Sequence, residues 1–158
     1  MSEYSAFREY MSRMDEMLTA AGEDYLEMIF RLSREKGYAR VSELSAALSV
    51  QPPAATRMVQ RLAENKLIQY EKYGVLKLTD KGNEIGEYLQ QRHAMVERFL
   101  KTLGVDEAML PAEADKAAHA TGRGTLRCMT QFLEFAEANP RFFAAYHMFR
   151  RQSERREH

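Results

Sequence analysis

Two groups of residues in this 158-residue chain have the types and spacing to do chemistry. The first is basic and polar. Thr56, Arg57, Gln60 and Arg61 alternate around an apolar stripe of Met58, Val59 and Leu62, so a helix here would project cations and hydrogen-bonding groups together. An arginine fork fits guanine O6 and N7, a glutamine pairs with adenine, and the methyls of Ala54 and Ala55 suit a thymine methyl. The second group is acidic and imidazole. Asp115 and His119 stand at i and i+4, a common two-ligand spacing on a helix. Asp24 and Glu27 are three apart and share a helix face, and His93 lies on the edge of an apolar stripe with Glu97 one turn later. Each feature also has a purely structural reading. Asp24 and Glu27 fit a solvated acidic face with Glu27 paired to Arg31, His93 fits a satisfied interior histidine, and Arg57, Arg61, Lys72 and Lys77 fit a solvated basic face.

The elements that must position the first group are readable. Ser42 is expected to N-cap a short helix, Glu43 to Leu48, whose apolar side is Leu44, Ala47 and Leu48. A turn follows at Ser49 to Gln51. Pro52 and Pro53 suit the first turn of a second helix, where missing N–H groups are harmless, and that helix continues to Glu64. Leu67 to Tyr70 and Val75 to Thr79 then read as two strands of a hairpin with Lys72 and Tyr73 near its tip. A helix-turn-helix followed by a hairpin is the order of a winged-helix reader, with the second helix in the major groove and the wing on phosphates. The candidate DNA contacts are therefore Arg40, Ser42, Pro52, Pro53, Ala54, Thr56, Arg57, Gln60, Arg61, Lys72, Tyr73 and Lys77.

Charge is distributed to match. The whole chain carries 23 basic and 23 acidic residues. Between Arg40 and Gly82, however, seven cations face four anions, whereas Met1 to Ala39 nets −3 and Gly104 to Ala138 again −3. A basic reader is flanked by acidic segments, so DNA binding should be modest until the acidity is neutralised or reorganised.

Outside the reader the pattern is helical, which makes the fold class mainly α: a winged helix-turn-helix domain with a small β-hairpin wing, then an all-helical dimerisation domain. Helices are expected at Tyr4 to Ala21, ended by Gly22, and at Glu23 to Lys36, packing Leu26, Ile29 and Phe30. Further helices are expected from Asp80 to Leu103, Pro111 to Ala120, Gly124 to Glu137 and Phe142 to Arg151. The long stripe Ile85, Leu89, Val96, Leu100 and Leu103 and the stripe Leu126, Met129, Leu133 and Phe135 suggest a homodimer. Two-fold symmetry would place two recognition helices one DNA turn apart, matching a palindromic operator. The expected divisions are an N-terminal extension (1–22), a reader (23–82), a dimerisation and metal-binding domain (83–138) and a C-terminal tail (139–158).

No run is long enough for a membrane span and the N-terminus has no apolar signal region, which points to the cytoplasm. A single cysteine, Cys128, neither closes an internal disulfide nor defines a zinc site, and is expected to pack in its helix. Enzyme function is disfavoured: there is no glycine-rich phosphate loop, nucleophile motif or zinc-protease signature.

The stretches DYLEMIFRL (Asp24 to Leu32), EKGYARVSEL (Glu35 to Leu44), TRMVQRL (Thr56 to Leu62), YEKYGVLKLTDKG (Tyr70 to Gly82) and RHAMVERFLKTLGVDE (Arg92 to Glu107) resemble the manganese transport regulator branch of the diphtheria-toxin-repressor family. The resemblance covers about residues 22 to 138. It implies a dimeric, metal-activated winged-helix repressor of metal-uptake genes, without the SH3-like third domain of the iron-responsive branch. It implies one metal site from Asp24, His93 and Asp115 and a neighbouring one from Glu27, Asp115 and His119. Carboxylate and imidazole donors suit Mn²⁺, with Fe²⁺ or another divalent ion as alternatives. The family pattern is incomplete here. Its two bridging carboxylates fall at Asp115, one methylene shorter, and at Ala118, which cannot ligate, so a pair of dications would be less compensated. A regulator that is constitutive or answers to another ligand is the competing expectation, as is a winged helix used for protein contacts.

Overall fold

The computed structural model describes residues 18–156; the expected helix from Tyr4 lies almost wholly outside them. Two compact units divide between Gln90 and Gln91.

The first unit begins with α1 (Ala20–Ser33), capped by Thr19, whose hydroxyl accepts the Gly22 N–H at 3.1 Å. Here the sequence expectation needs correction. Gly22 does not stop a helix; it lies in the first turn of α1, and the helix closes at Ser33 rather than Lys36. Gly22 is small enough to lie against Leu18, since a Cβ there would sit 3.2 Å from a Leu18 methyl. Strand β1 (Ala39–Arg40) leads into α2 (Val41–Leu48), and a left-handed Ser49 turns the chain into α3 (Pro52–Glu64) with prolines in its first turn. Ser42 is not the N-cap of α2 but sits inside it. Arg40 takes the cap position, where its N–H donates to the Glu43 carboxylate at 2.9 Å.

Strand β2 (Ile68–Glu71), a 3₁₀ turn (Lys72–Gly74) and β3 (Val75–Leu78) form the wing. The antiparallel sheet has the order β1-β3-β2, pairing Ala39 with Leu76, Arg40 with Val75 and Tyr70 with Leu76. Strand β1 escaped the sequence reading because two residues carry no periodicity; only the pairing with β3 defines them. The core of the unit is one cluster in which Leu26, Ile29, Leu44, Val59, Leu67 and Leu76 are fully buried. Ala47, expected to face inward, is exposed, and Ser45 takes the buried place with its hydroxyl donating to the Val41 carbonyl at 2.8 Å.

Helix α4 (Asp80–Leu103) starts where Thr79 accepts the Gly82 N–H at 3.0 Å and its hydroxyl donates to the Lys66 carbonyl at 2.8 Å. The wing and the helix approach so closely there that a Cβ on Gly82 would lie 1.9 Å from the Leu67 carbonyl oxygen.

The second unit comprises the rest of α4 with α5 (Leu110–Ala120), α6 (Arg123–Ala138) and α7 (Pro140–Glu154). Leu133 and Ala136 are its buried residues on α6. Phe135, placed on the α6 stripe by its sequence position, is instead 48% exposed, and Phe132 turns inward, edge-on to Phe99 at 5.6 Å. Cys128 is exposed rather than packed. Gly104 ends α4 at φ +94°, and the Leu103 carbonyl accepts from Tyr146 at 2.9 Å and from Arg150 at 2.8 Å. Arg150 also donates to the Gly104 carbonyl at 2.8 Å, so a cation fills the negative end of the helix. No helix among the described residues is long and apolar enough to cross a membrane.

Candidate nucleic-acid interface and metal centre

Helix α3 separates its two faces cleanly. Ala55, Val59 and Leu62 are buried, while Pro52, Pro53, Arg57, Gln60 and Arg61 are exposed and Ala54 and Thr56 are half-buried. The exposed residues fall on one side because the apolar positions at i, i+4 and i+7 claim the other. Ala55 had been paired with Ala54 as a thymine contact; with no exposed surface, it belongs to the core. The outward face is left with two guanidinium groups, an amide and the small Ala54, a set suited to reading base edges.

The wing places its own groups. Lys72 is exposed, and Tyr73 at the tip is 92% exposed with a left-handed backbone, φ 62°. A tyrosine held in that conformation is uncommon and projects a large ring into solvent. Lys77 is not free for a phosphate in the same way, because its ammonium lies 3.0 Å from the Glu71 carboxylate across the hairpin. Arg40 sits over the Tyr38 ring at 5.6 Å, with Lys36 over the same ring at 5.0 Å. Ser42 is exposed on the first turn of α2.

Glu43 was missed by reasoning on charge alone. It accepts the Arg40 N–H and pairs with Lys36, so it fixes the entry to the helix-turn-helix. Lys36 is the main cause that holds its carboxyl below the ordinary value of 4.5; partial desolvation opposes this and the Arg40 N–H assists it. The signal was available as an acid three residues after the cap position.

The metal candidates lie on three helices. Asp115 and His119 are half-buried on α5, and a carboxylate oxygen of one lies within 4.8 Å of an imidazole nitrogen of the other. One cation can touch two donors so spaced. A hard oxygen beside an imidazole nitrogen fits a borderline divalent ion such as Mn²⁺ or Fe²⁺. Ala118, between them in sequence, is 3% exposed and offers no donor atom. His93 is half-buried on α4. On α1, Asp24 is half-buried, and Glu27 is paired with Arg31 at 3.2 Å.

A helix-turn-helix whose second helix presents arginine and glutamine outward, followed by a wing, defines the class of winged-helix DNA-binding transcriptional regulators. Residues 17–76 match the family model described as iron dependent repressor, N-terminal DNA binding domain. Residues 79–142 match its companion, the metal binding and dimerisation domain. The HTH-type transcriptional regulator MntR of Bacillus pumilus is 40% identical over 121 residues, covering 77% of this chain and 84% of that protein. The protein of the same name from Lysinibacillus sphaericus is 40% identical over 124 residues, covering 78% and 89%. The chain belongs to the diphtheria-toxin-repressor family of metal-dependent transcriptional regulators, in its manganese transport regulator branch.

Solved structures agree on the architecture. The manganese regulator SloR superposes with a TM-score of 0.64 at 27% identity, covering 72% of this chain and 54% of that one. A manganese-dependent transcriptional repressor in complex with manganese gives 0.62 at 25% identity, covering 72% and 53%. This chain thus spans about half the length of those two solved chains.

Proposed function

We propose that this protein is a cytoplasmic, manganese-responsive repressor of metal-ion uptake genes that binds a palindromic operator as a homodimer. The observation that carries the reading is α3, where Arg57, Gln60 and Arg61 stand exposed on one face of a helix whose other face is sealed in the core. In this reading Arg57 and Gln60 contact base edges, while Arg61, Arg40, Lys72 and the Tyr73 tip hold the backbone. Residues 23–82 act as the reader and 83–138 as the dimerisation and metal-binding domain.

The ion's contribution, when bound, is positive charge among acidic side chains. Asp115 and His119 are the ligands that geometry supports, and the family resemblance adds Asp24, Glu27 and His93. The methyl of Ala118 and the Glu27–Arg31 pair both favour a single ion per protomer, because two dications need more bridging carboxylate than α5 supplies. Ligation neutralises Asp115 and lowers the acidity that opposes the approach of phosphates. Metal affinity and DNA affinity are thereby linked, each raising the other by the same factor.

The test is a titration of chelator-stripped protein with Mn²⁺, followed by calorimetry and by fluorescence anisotropy of a labelled duplex selected from a random pool. The expected result is one ion per protomer and DNA affinity raised by at least about tenfold. Unchanged DNA affinity up to about a millimolar Mn²⁺ would instead identify a constitutive regulator or one with another ligand.

A further inference from the structure

The second unit carries an apolar surface that its own fold leaves uncovered. Helix α7 is fastened by one face: Tyr146 and Arg150 bond the end of α4, and Phe143 lies 6.4 Å from Phe132. Its other face holds Phe142 at 47% exposure, Phe149 at 67% and Met148 at 55%. Phe142, Ala145 and Phe149 stand at i, i+3 and i+7, the spacing of a seam that another helix covers. Phe135 of α6 extends the patch, edge-on to Phe142 at 5.2 Å and itself 48% exposed. Single exposed apolar residues are ordinary, but three aromatic rings and a methionine in continuity mark an interaction surface.

We infer that this α6–α7 face, from Phe135 through Phe149, packs against a second copy of the chain, so that α7 extends the dimer interface beyond the family's dimerisation domain. The inference rests on the homodimer of the proposed function. Two observations choose the occupant. The patch is continuous with the matched dimerisation domain, which ends at residue 142 and already contains Phe135 and Phe142. It is also self-complementary in charge. Gly104 to Ala138 nets −3, with Glu134 exposed on α6, whereas Arg141 to His158 carries five arginines against two acids, with Arg141, Arg151 and Arg155 exposed. A two-fold partner can therefore set each basic α7 against the acidic C-terminal end of the other copy's α6, where Glu134 and Glu137 are exposed, whereas two α7 helices face to face would juxtapose like charge.

The experiment is sedimentation equilibrium of the full chain as wild type, Phe149→Glu, Glu134→Lys, and Glu134→Lys with Arg151→Glu. Far-UV circular dichroism serves as the fold control, and Met148→Lys replaces Phe149→Glu if that variant unfolds. The expected result is a dimer dissociation constant raised at least about tenfold by Phe149→Glu, raised less by Glu134→Lys, and partly restored by the charge swap. A wild-type dimer unmoved by Phe149→Glu or Met148→Lys overturns the α7 surface and leaves the homodimer standing. A variant that stays dimeric yet loses salt-dependent binding to random duplex DNA overturns it in favour of a DNA contact. A wild-type monomer at about 50 μM overturns both readings.

Discussion

The two units of this chain handle their apolar side chains in opposite ways. In the first, the core cluster closes on itself, and among the described residues the two large exposed hydrophobics are tyrosines, Tyr70 and Tyr73, each with a polar hydroxyl. In the second, Met109, Phe135, Phe142, Met148 and Phe149 remain exposed although several buried residues lie beneath. A unit that meets nucleic acid needs a polar, cationic exterior on a rigid support. A unit that meets another copy of itself leaves part of its hydrophobic surface for that partner. The difference agrees with the order of the two matched family models, DNA binding first and dimerisation second.

The comparison can be broken most severely at the seam between wing and α4. Gly82→Ala would place a Cβ against the Leu67 carbonyl oxygen, and relief requires moving backbone; a loss above about 3 kcal/mol is expected in urea unfolding. A variant as stable as wild type would show that the first unit is less closely packed than described. In the second unit the corresponding anchor is electrostatic. Arg150→Ala removes a cation and two carbonyl bonds from the end of α4, and about 1.5 to 3 kcal/mol should be lost in the same measurement.

Smaller effects sharpen the exterior chemistry of the reader. Lys72→Ala should weaken binding evenly across DNA sequences and reduce the slope of log affinity against log salt by about one, as read by anisotropy. A sequence-dependent loss would move Lys72 from phosphate to base contact. The smallest effect concerns Glu43. Its carboxyl is held below 4.5 chiefly by Lys36, so its contribution to stability is present above that value and fades as pH falls through the depressed folded value. Glu43→Gln should therefore lower stability slightly at neutral pH and flatten the acid limb of a stability profile below about pH 4.5. Both groups are solvent-exposed, which keeps the effect small.

Much of this was legible in residue order. Helix α3 could be read because Pro52 and Pro53 mark its first turn and Met58, Val59 and Leu62 give its period, signals that are local to the helix. Helix α1 was displaced by three residues because Gly22 reads as a stop, whereas the hydroxyl of Thr19 starts the helix and the glycine serves a close approach to Leu18. Ala55 could not be told from Ala54, since two adjacent methyls give no clue to which one the core takes. The i, i+4 spacing of Asp115 and His119 was readable as one that sets two donor groups side by side, and their donor atoms lie within 4.8 Å of each other. The exposure of Phe135 and Phe149 was not readable, because an apolar residue at helical spacing looks the same whether it faces its own core or a partner.

The account turns on the outward face of α3, and the most direct measurement is discrimination by anisotropy between a duplex selected from a random pool and its scrambled counterpart, with Mn²⁺ present. For Arg57→Ala combined with Gln60→Ala, the prediction is a loss of most of that discrimination, about 1 to 3 kcal/mol for each lost bidentate contact, while salt-dependent binding to both duplexes persists. Discrimination equal to that of the wild type would contradict the assignment of α3 as the element that reads DNA.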